Sequence, residues 1–108
     1  MTQGEQECIP CSQAGQKMSR QEAETLLRDV PGWELSVDGN AILRNLKFRN
    51  FKQALECVNR IGVLAEEQKH HPDIVLGWGY VRLTLQTHSI GGLHANDFIL
   101  AGKINNIL

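Results

Sequence analysis

The chain has 108 residues, of which 42% are hydrophobic and 21% are charged, and its formal net charge is −1. This length suits one compact domain with one core, and the lack of basic excess argues against direct binding to nucleic acid. No apolar run approaches the ~20 residues that a membrane span requires, and the start MTQGEQECIPCSQAGQKMSR has no continuous apolar stretch typical of a signal sequence, so we expect a cytoplasmic protein without a membrane partner.

The first segment, residues 1–17, is rich in Gln, Gly and Ser and has no hydrophobic periodicity. It predicts a flexible arm ahead of a single domain at residues 18–108. The arm contains Cys8-Ile9-Pro10-Cys11. A structural zinc site usually has four ligands, and no second CxxC or histidine pair at finger spacing follows, so we interpret both cysteines as free thiols and expect no metal. A zinc ion shared with a second chain is the alternative.

The next predicted elements are a short helix and a hairpin. Ser19 and Glu22 have the spacing of a capping box, and Pro31-Gly32 ends the segment. The alternating runs WELSV and AILRNLKF flank a turn in which Gly39 can supply a positive φ. The sequence therefore predicts one helix followed by two antiparallel strands.

The longest predicted element is a helix with Asn50 as N-cap that covers FKQALECVNRIGVLAEEQK. Cys57 lies inside this apolar-periodic segment, which suits a reducing compartment better than a disulfide framework. Six residues recur at helical spacing and should form one stripe facing the core: Phe51, Ala54, Leu55, Val58, Gly62 and Ala65.

A second hairpin and a last helix complete the pattern. DIVLGWGYVRLTLQTH predicts two strands that turn near Gly79, with Val81, Leu83 and Leu85 on one face of the second strand. The tail LHANDFILAGKINNIL returns to helical spacing.

This order, α-β-β-α-β-β-α, indicates an α+β fold in which a four-stranded antiparallel sheet carries three helices on one face. Such a sheet leaves its other face and two edges open. We therefore expect self-association into a homodimer or homotetramer.

The stretch EEQKHHPD places two histidines at the end of the long helix, directly before a proline. If the helix persists that far, neither His70 nor His71 falls in the apolar stripe, so neither is expected to be a core histidine. Glu66 precedes His70 by four residues and could orient its imidazole across one helical turn. The alternative is that both histidines only complement the negative end of the helix dipole, with Pro72 stopping the helix.

His70 and His71 belong to a longer pattern that also contains His88, which is expected to close the last strand. The pattern consists, in order, of Glu66, three residues, His70-His71-Pro72, five residues, Trp78, nine residues, His88, eight residues and Asp97. The pattern resembles the signature of the pterin-4a-carbinolamine dehydratases, and Gly-Gly-Leu with Asn-Asp-Phe after His88 is also similar. The resemblance covers about residues 19 to 105.

The resemblance implies a hydro-lyase that uses no cofactor and dehydrates 4a-hydroxytetrahydropterin to quinonoid dihydropterin. The product is the form recycled for aromatic amino acid hydroxylases, which implies a functional link to such an enzyme. His70, His71 and His88 would supply the acid and the base, because imidazole with a pKa of about 6.5 populates both forms near neutral pH. The resemblance leaves open which histidine donates. It also implies six substrate contacts: Glu66, Pro72, Trp78, Thr87, Ser89 and Asp97.

Several alternatives stay open at this point. Asp97 can equally be a carboxylate that stabilises the first turn of the last helix. His94 stands where the family often has a Ser or Thr cap, which weakens the capping box expected there, and is interpreted as a surface residue. Three histidines and an aspartate could also ligate a transition metal. Finally, the resemblance allows a non-enzymatic role, because animal members of the family also act as coactivators that stabilise a transcription factor.

Overall fold

The computed structural model describes residues 7–9 and 15–108 and has the predicted order of elements. The helices are α1 (Arg20–Leu27), α2 (Phe51–Gln68) and α3 (Ala95–Ile107), and a short 3-10 helix spans His88–Ile90. The strands are β1 (Glu34–Leu35), β2 (Ile42–Lys47), β3 (Asp73–Gly77) and β4 (Tyr80–Leu85). The α+β class is therefore confirmed. Within the described ranges, no helix combines the length and the apolar character needed to cross a bilayer.

The four strands form one antiparallel sheet in the order β1-β2-β4-β3. Both predicted hairpins are present, and the glycine in each turn has a positive φ, 76° at Gly39 and 78° at Gly79. In β4 the side chains of Val81, Leu83 and Leu85 are buried, as their alternation predicts. The chain therefore crosses from the first hairpin to the second through α2, which brings β4 to the centre of the sheet.

Local side-chain caps fix the starts of the first two helices. Ser19 Oγ accepts the backbone N–H of Glu22, and the Glu22 carboxylate accepts the N–H of Ser19, which completes the capping box. Asn50 Oδ1 accepts the N–H of Gln53 at 2.9 Å. Both predicted helix starts are confirmed.

The buried stripe of α2 differs from the predicted one. Its buried residues are Ala54, Cys57, Ile61 and Ala65, whereas Phe51 and Leu55 are 44% and 39% exposed. At about 100° per residue, the observed stripe is displaced by roughly 60° around the helix from the predicted one. The prediction counted Phe51 and Leu55 as core residues, but the sheet and α3 cover the side that carries Cys57 and Ile61.

Helix α3 is the most buried helix of the fold. Eight of its residues are buried, including the unbroken run from Asn96 to Gly102. The run from Phe98 to Gly102 is apolar around the whole circumference of the helix, which is typical of a core position. Here α3 packs against α2, and the large side chains of Phe98, Leu100 and Ile104 belong to the main hydrophobic cluster.

The described part of the N-terminal segment lies against the domain. Ile9 exchanges two hydrogen bonds with the Asn96 side chain, at 2.9 and 2.6 Å, and the Cys8 N–H donates to Gln68 Oε1 at 3.0 Å. Residues 7–9 of the predicted flexible arm are therefore in contact with helices α2 and α3. Cys11, the second cysteine of the predicted thiol pair, lies outside the described residues.

Candidate active site

The histidines singled out in the sequence meet at one small pocket. It has a volume of about 180 Å³ and lies between the end of α2 and the turn that follows β4. The residues that line it are Lys69, His70, His71, Gln86, Thr87, His88 and Ser89. The structure therefore brings together five of the nine residues predicted for the site.

The junction after α2 decides how the two adjacent histidines point. The helix ends at Gln68, and Lys69 adopts the left-handed conformation with φ 54°, the only positive φ of a non-glycine residue in the described chain. Because this residue breaks the helical phase, His70 turns into the protein and is 4% exposed, while His71 is 58% exposed. The expectation that neither is a core histidine is wrong for His70, since it assumed that the helix continued.

His70 is held by Asp97 rather than by Glu66. Its Nε2 lies 2.6 Å from Asp97 Oδ1, and both side chains are buried. The predicted contact between Glu66 and His70 across one helical turn is not made. Glu66 Oε2 instead lies 2.5 Å from Nε2 of His71, in an exposed pair. Each adjacent histidine therefore has its own carboxylate, one in the core and one at the surface.

The Asp97 carboxylate takes part in three hydrogen bonds in the core. Thr87 Oγ1 donates to Oδ2 at 2.9 Å, and the backbone N–H of His94 donates to the same oxygen at 3.0 Å. A carboxylate that faces several donors acts only as an acceptor, so His70 Nε2 carries the proton in this pair. This arrangement fixes the tautomer and the orientation of the His70 ring.

Asp97 also closes a capping box at the start of α3. His94 is the N-cap, and its Nδ1 accepts the N–H of Asn96 at 3.1 Å. The predicted weakness of this cap is therefore wrong, because an imidazole nitrogen replaces the usual hydroxyl oxygen. The dipole interpretation and the site interpretation of Asp97 are both compatible with this geometry, since one oxygen faces the helix N-terminus and the other faces His70.

His88 lies on the opposite side of the pocket from the helix junction. It begins the 3-10 helix and does not close β4, which ends at Leu85. Its Nε2 is 4.0 Å from Asp73 Oδ2, and both side chains are about 70% exposed. Asp73 was missed in the sequence. The signal that could have found it is its place directly after His70-His71-Pro72, at the start of a strand that pairs with β4.

Two predicted substrate contacts lie apart from this pocket. Pro72 connects His71 to β3 and does not line the cavity. Trp78 is 73% exposed in the turn between β3 and β4, at the far end of the hairpin from Asp73. At about 3.3 Å per residue, that end is roughly 16 Å away. The predicted role of Trp78 as a pocket wall therefore has no counterpart in the geometry of a single chain.

The described site is built from pairs of side chains. Over residues 7–9 and 15–108, no group of three or more His, Cys, Asp or Glu side chains is placed to hold a metal ion. Two of the three imidazoles hydrogen-bond to a carboxylate, His70 to Asp97 and His71 to Glu66, which is the arrangement that orients an acid or a base.

Comparisons with known proteins relate most of the chain to one family. A family model described as pterin 4 alpha carbinolamine dehydratase matches residues 16–107. A protein of Halorhodospira halophila named "Putative pterin-4-alpha-carbinolamine dehydratase" is 52% identical over 98 residues, 91% of this chain and 90% of its own length. A protein of the same name from Rubrobacter xylanophilus is 48% identical over 95% of both chains. The crystal structure of a transcriptional coactivator/pterin dehydratase from Brucella melitensis has a TM-score of 0.77 and 35% identity, and covers 84% of this chain and 97% of that one.

Proposed function

Because the chain belongs to the pterin 4 alpha carbinolamine dehydratase family, we propose that it dehydrates a 4a-hydroxytetrahydropterin by histidine acid-base catalysis. The observation that carries the proposal is that His70, His71 and His88 meet at one pocket. The intact set favours an enzyme over a module that only binds a protein partner, since a binding module needs no acid and no base.

The reaction requires two proton transfers. The bond between C4a and the hydroxyl oxygen breaks, and a side chain donates a proton so that water leaves instead of hydroxide. A second side chain accepts the N5 proton as the N5–C4a double bond of the quinonoid dihydropterin forms. Positioned acids and bases accelerate such steps by typically 10²–10⁴-fold. The released dihydropterin is in the state that a reductase can return to a hydroxylase cofactor, which is the physiological role we propose.

The three histidines have different environments, which suits a division between acid and base. His70 is buried and donates to Asp97, His71 is exposed beside Glu66, and His88 is exposed near Asp73. Asp97 is buried and does not line the pocket, so its proposed role is to position His70; Thr87 lines the pocket and donates to Asp97, which holds that carboxylate in place. His71, His88 and Ser89 are the proposed contacts with the pterin from the pocket wall.

Dehydratase activity on freshly generated 4a-hydroxytetrahydropterin tests this proposal. We expect His70→Ala and His88→Ala each to reduce the rate by on the order of 10²-fold or more. His94→Asn is the matched control, because Asn is a favourable N-cap and His94 does not line the pocket. The limb of the pH profile that each variant loses would identify the acid and the base. Wild-type rates in both alanine variants would overturn the assignment.

A further inference from the structure

The segment Glu7–Ile9, here called the strap, bridges the two helices that carry the His70–Asp97 pair. On α2 it contacts Gln68, two residues before His70. On α3 it contacts Asn96, the residue directly before Asp97. The family model matches residues 16–107, so the strap lies outside the matched part of the chain. Its contacts are nevertheless with sequence neighbours of both His70 and Asp97, which lie inside the matched part.

The contact with Asn96 consists of two paired, partly buried hydrogen bonds. Asn96 is fully buried, and its side-chain amide accepts the N–H of Ile9 and donates to the carbonyl of Ile9. These bonds involve the backbone of Ile9, whose side chain is 42% exposed. A buried amide that loses its partners destabilises the local structure, because its desolvation is no longer compensated. Release of the strap would therefore disturb the first turn of α3.

The contact with Gln68 reaches the other helix. Its Oε1 accepts the N–H of Cys8 at 3.0 Å, and its Nε2 donates to Glu7 Oε2 at 2.6 Å. Lys103 of α3 lies 3.5 Å from Glu7 Oε1. The hydrogen bond from Gln68, followed by the charge of Lys103, lowers the pKa of Glu7 below its usual value. The strap thus contacts both helices through the Glu7 side chain as well as through its backbone.

We infer that the strap is a positioning element that fixes the end of α2 relative to the start of α3, and thereby fixes the hydrogen bond between His70 and Asp97. Gln68 precedes the left-handed Lys69, so a shift of Gln68 moves the junction that directs His70 into the core. Asn96 and Asp97 share the first turn of α3, so a shift of Asn96 moves the carboxylate. The consequence for catalysis rests on the proposed function, but the effect on the His70–Asp97 geometry does not.

A proline substitution at position 9 of the full-length chain tests the inference about the strap. Ile9→Pro removes the N–H that Asn96 accepts, whereas Ile9→Ala keeps it and is the matched control. The first measurement is the solvent-exchange rate of the His70 ring N–H, observed by NMR in 15N-labelled protein. We expect Ile9→Pro to raise this rate about tenfold, the effect of losing one buried hydrogen bond, and Ile9→Ala to leave it within about twofold. Gln68→Met, which removes the contacts on α2, should raise it as well.

The second measurement separates this inference from the proposed function. We expect Ile9→Pro to lower kcat for pterin dehydration with little change in KM, because the strap does not line the pocket. An unchanged His70 exchange rate in both Ile9→Pro and Gln68→Met would overturn the strap inference, whatever the activity. Faster exchange in a protein whose wild type has no dehydratase activity would support the strap and overturn the proposed function instead.

Discussion

Asp97 shows how one side chain can serve a helix and a candidate catalytic group together. Its Oδ2 accepts from Thr87 and from the N-cap backbone, and its Oδ1 faces His70. These bonds are made in a fully buried position, where unpaired polar groups are costly. The orientation of His70 is therefore tied to the start of α3.

Asp97→Asn should reduce the dehydration rate by about tenfold or more, which is less than the 10²–10⁴-fold effect of losing the acid or base itself, while the fold is kept. The two donors at Oδ2 favour the amide oxygen on that side. The amide NH2 would then face His70 Nε2, which would have to accept instead of donate. Steady-state kinetics with a thermal melt checks this. Asp73→Asn, which changes the exposed carboxylate 4.0 Å from His88, is the control with a smaller expected loss. A wild-type rate with an unchanged His70 tautomer would contradict the argument.

Lys69 is the second residue on which the site depends. Lys69→Val should lower the free energy of unfolding by about 1–2 kcal/mol, because a β-branched side chain is strongly disfavoured at positive φ. Lys69→Asn should be close to neutral, since Asn tolerates this conformation. Thermal denaturation distinguishes the two, because 1 kcal/mol shifts the melting temperature of a small domain by about 4–8 °C. Equal melting temperatures for both variants would show that φ at this position is not the determinant.

At the scale of elements, helix starts and turns could be predicted and the pairing of site residues could not. Ser19, Asn50, Gly39 and Gly79 act through neighbours within a few residues, so their effect is visible in the sequence. The pairing of His70 with Asp97 depends on the backbone conformation of one lysine and on the packing of two helices distant in sequence. Local periodicity carries no information on the lysine conformation or on the helix packing. The prediction based on it therefore paired Glu66 with His70, whereas the structure pairs it with His71.

The docking of the strap was also beyond sequence reasoning, for a different reason. Its contacts with Asn96 use the backbone of Ile9, which every non-proline residue provides. A segment rich in Gln, Gly and Ser gives no hydrophobic pattern that would indicate such pairing. What could have been noticed is Asn96 in the first turn of a helix with an apolar run at residues 98–102, because a buried amide requires partners.

Asn105 connects the end of α3 to the first hairpin. Its Oδ1 accepts from Trp33 Nε1 at 3.0 Å and from Arg44 Nη1 at 2.7 Å, and its Nδ2 donates to the carbonyl of Pro31 at 3.0 Å. Asn105→Ala should therefore lower the free energy of unfolding by about 1–3 kcal/mol. The exposed neighbour Asn106→Ala is the control and should stay within about 0.5 kcal/mol of wild type. Chemical denaturation measures both, and equal stabilities would contradict the role of this hydrogen-bond cluster.

At the scale of the whole molecule, the described residues bury one face of the sheet and leave the other exposed, as the alternating burial in β4 shows. Strand β3 is an edge strand, and the exposed large apolar side chains on the second hairpin include Val75, Trp78 and Tyr80. Exposed edges and apolar surface favour association. We therefore keep the prediction of a homodimer or homotetramer, in which a second chain would cover part of this surface.

Light scattering coupled to size exclusion tests this prediction. The mass in solution should be at least twice the 12.1 kDa of one chain. Val75→Lys, which places a charge on the open face of the edge strand, should shift the mass towards one chain if that face is covered. A mass of 12.1 kDa for the wild type at micromolar concentration would contradict the prediction.

The left-handed lysine before the two histidines also affects how relatives should be aligned. Positions 70 and 71 are both histidine, so moving an alignment gap by one position can pair His70 with a relative's counterpart of His71 at almost no loss of alignment score. The side chains are not equivalent, because one is 4% exposed and the other 58%. A relative with one residue fewer in this junction would present its remaining histidine either to the core or to the solvent. The position of the residue with positive φ, and not the alignment score, would show whether the relative had kept the buried histidine or the exposed one.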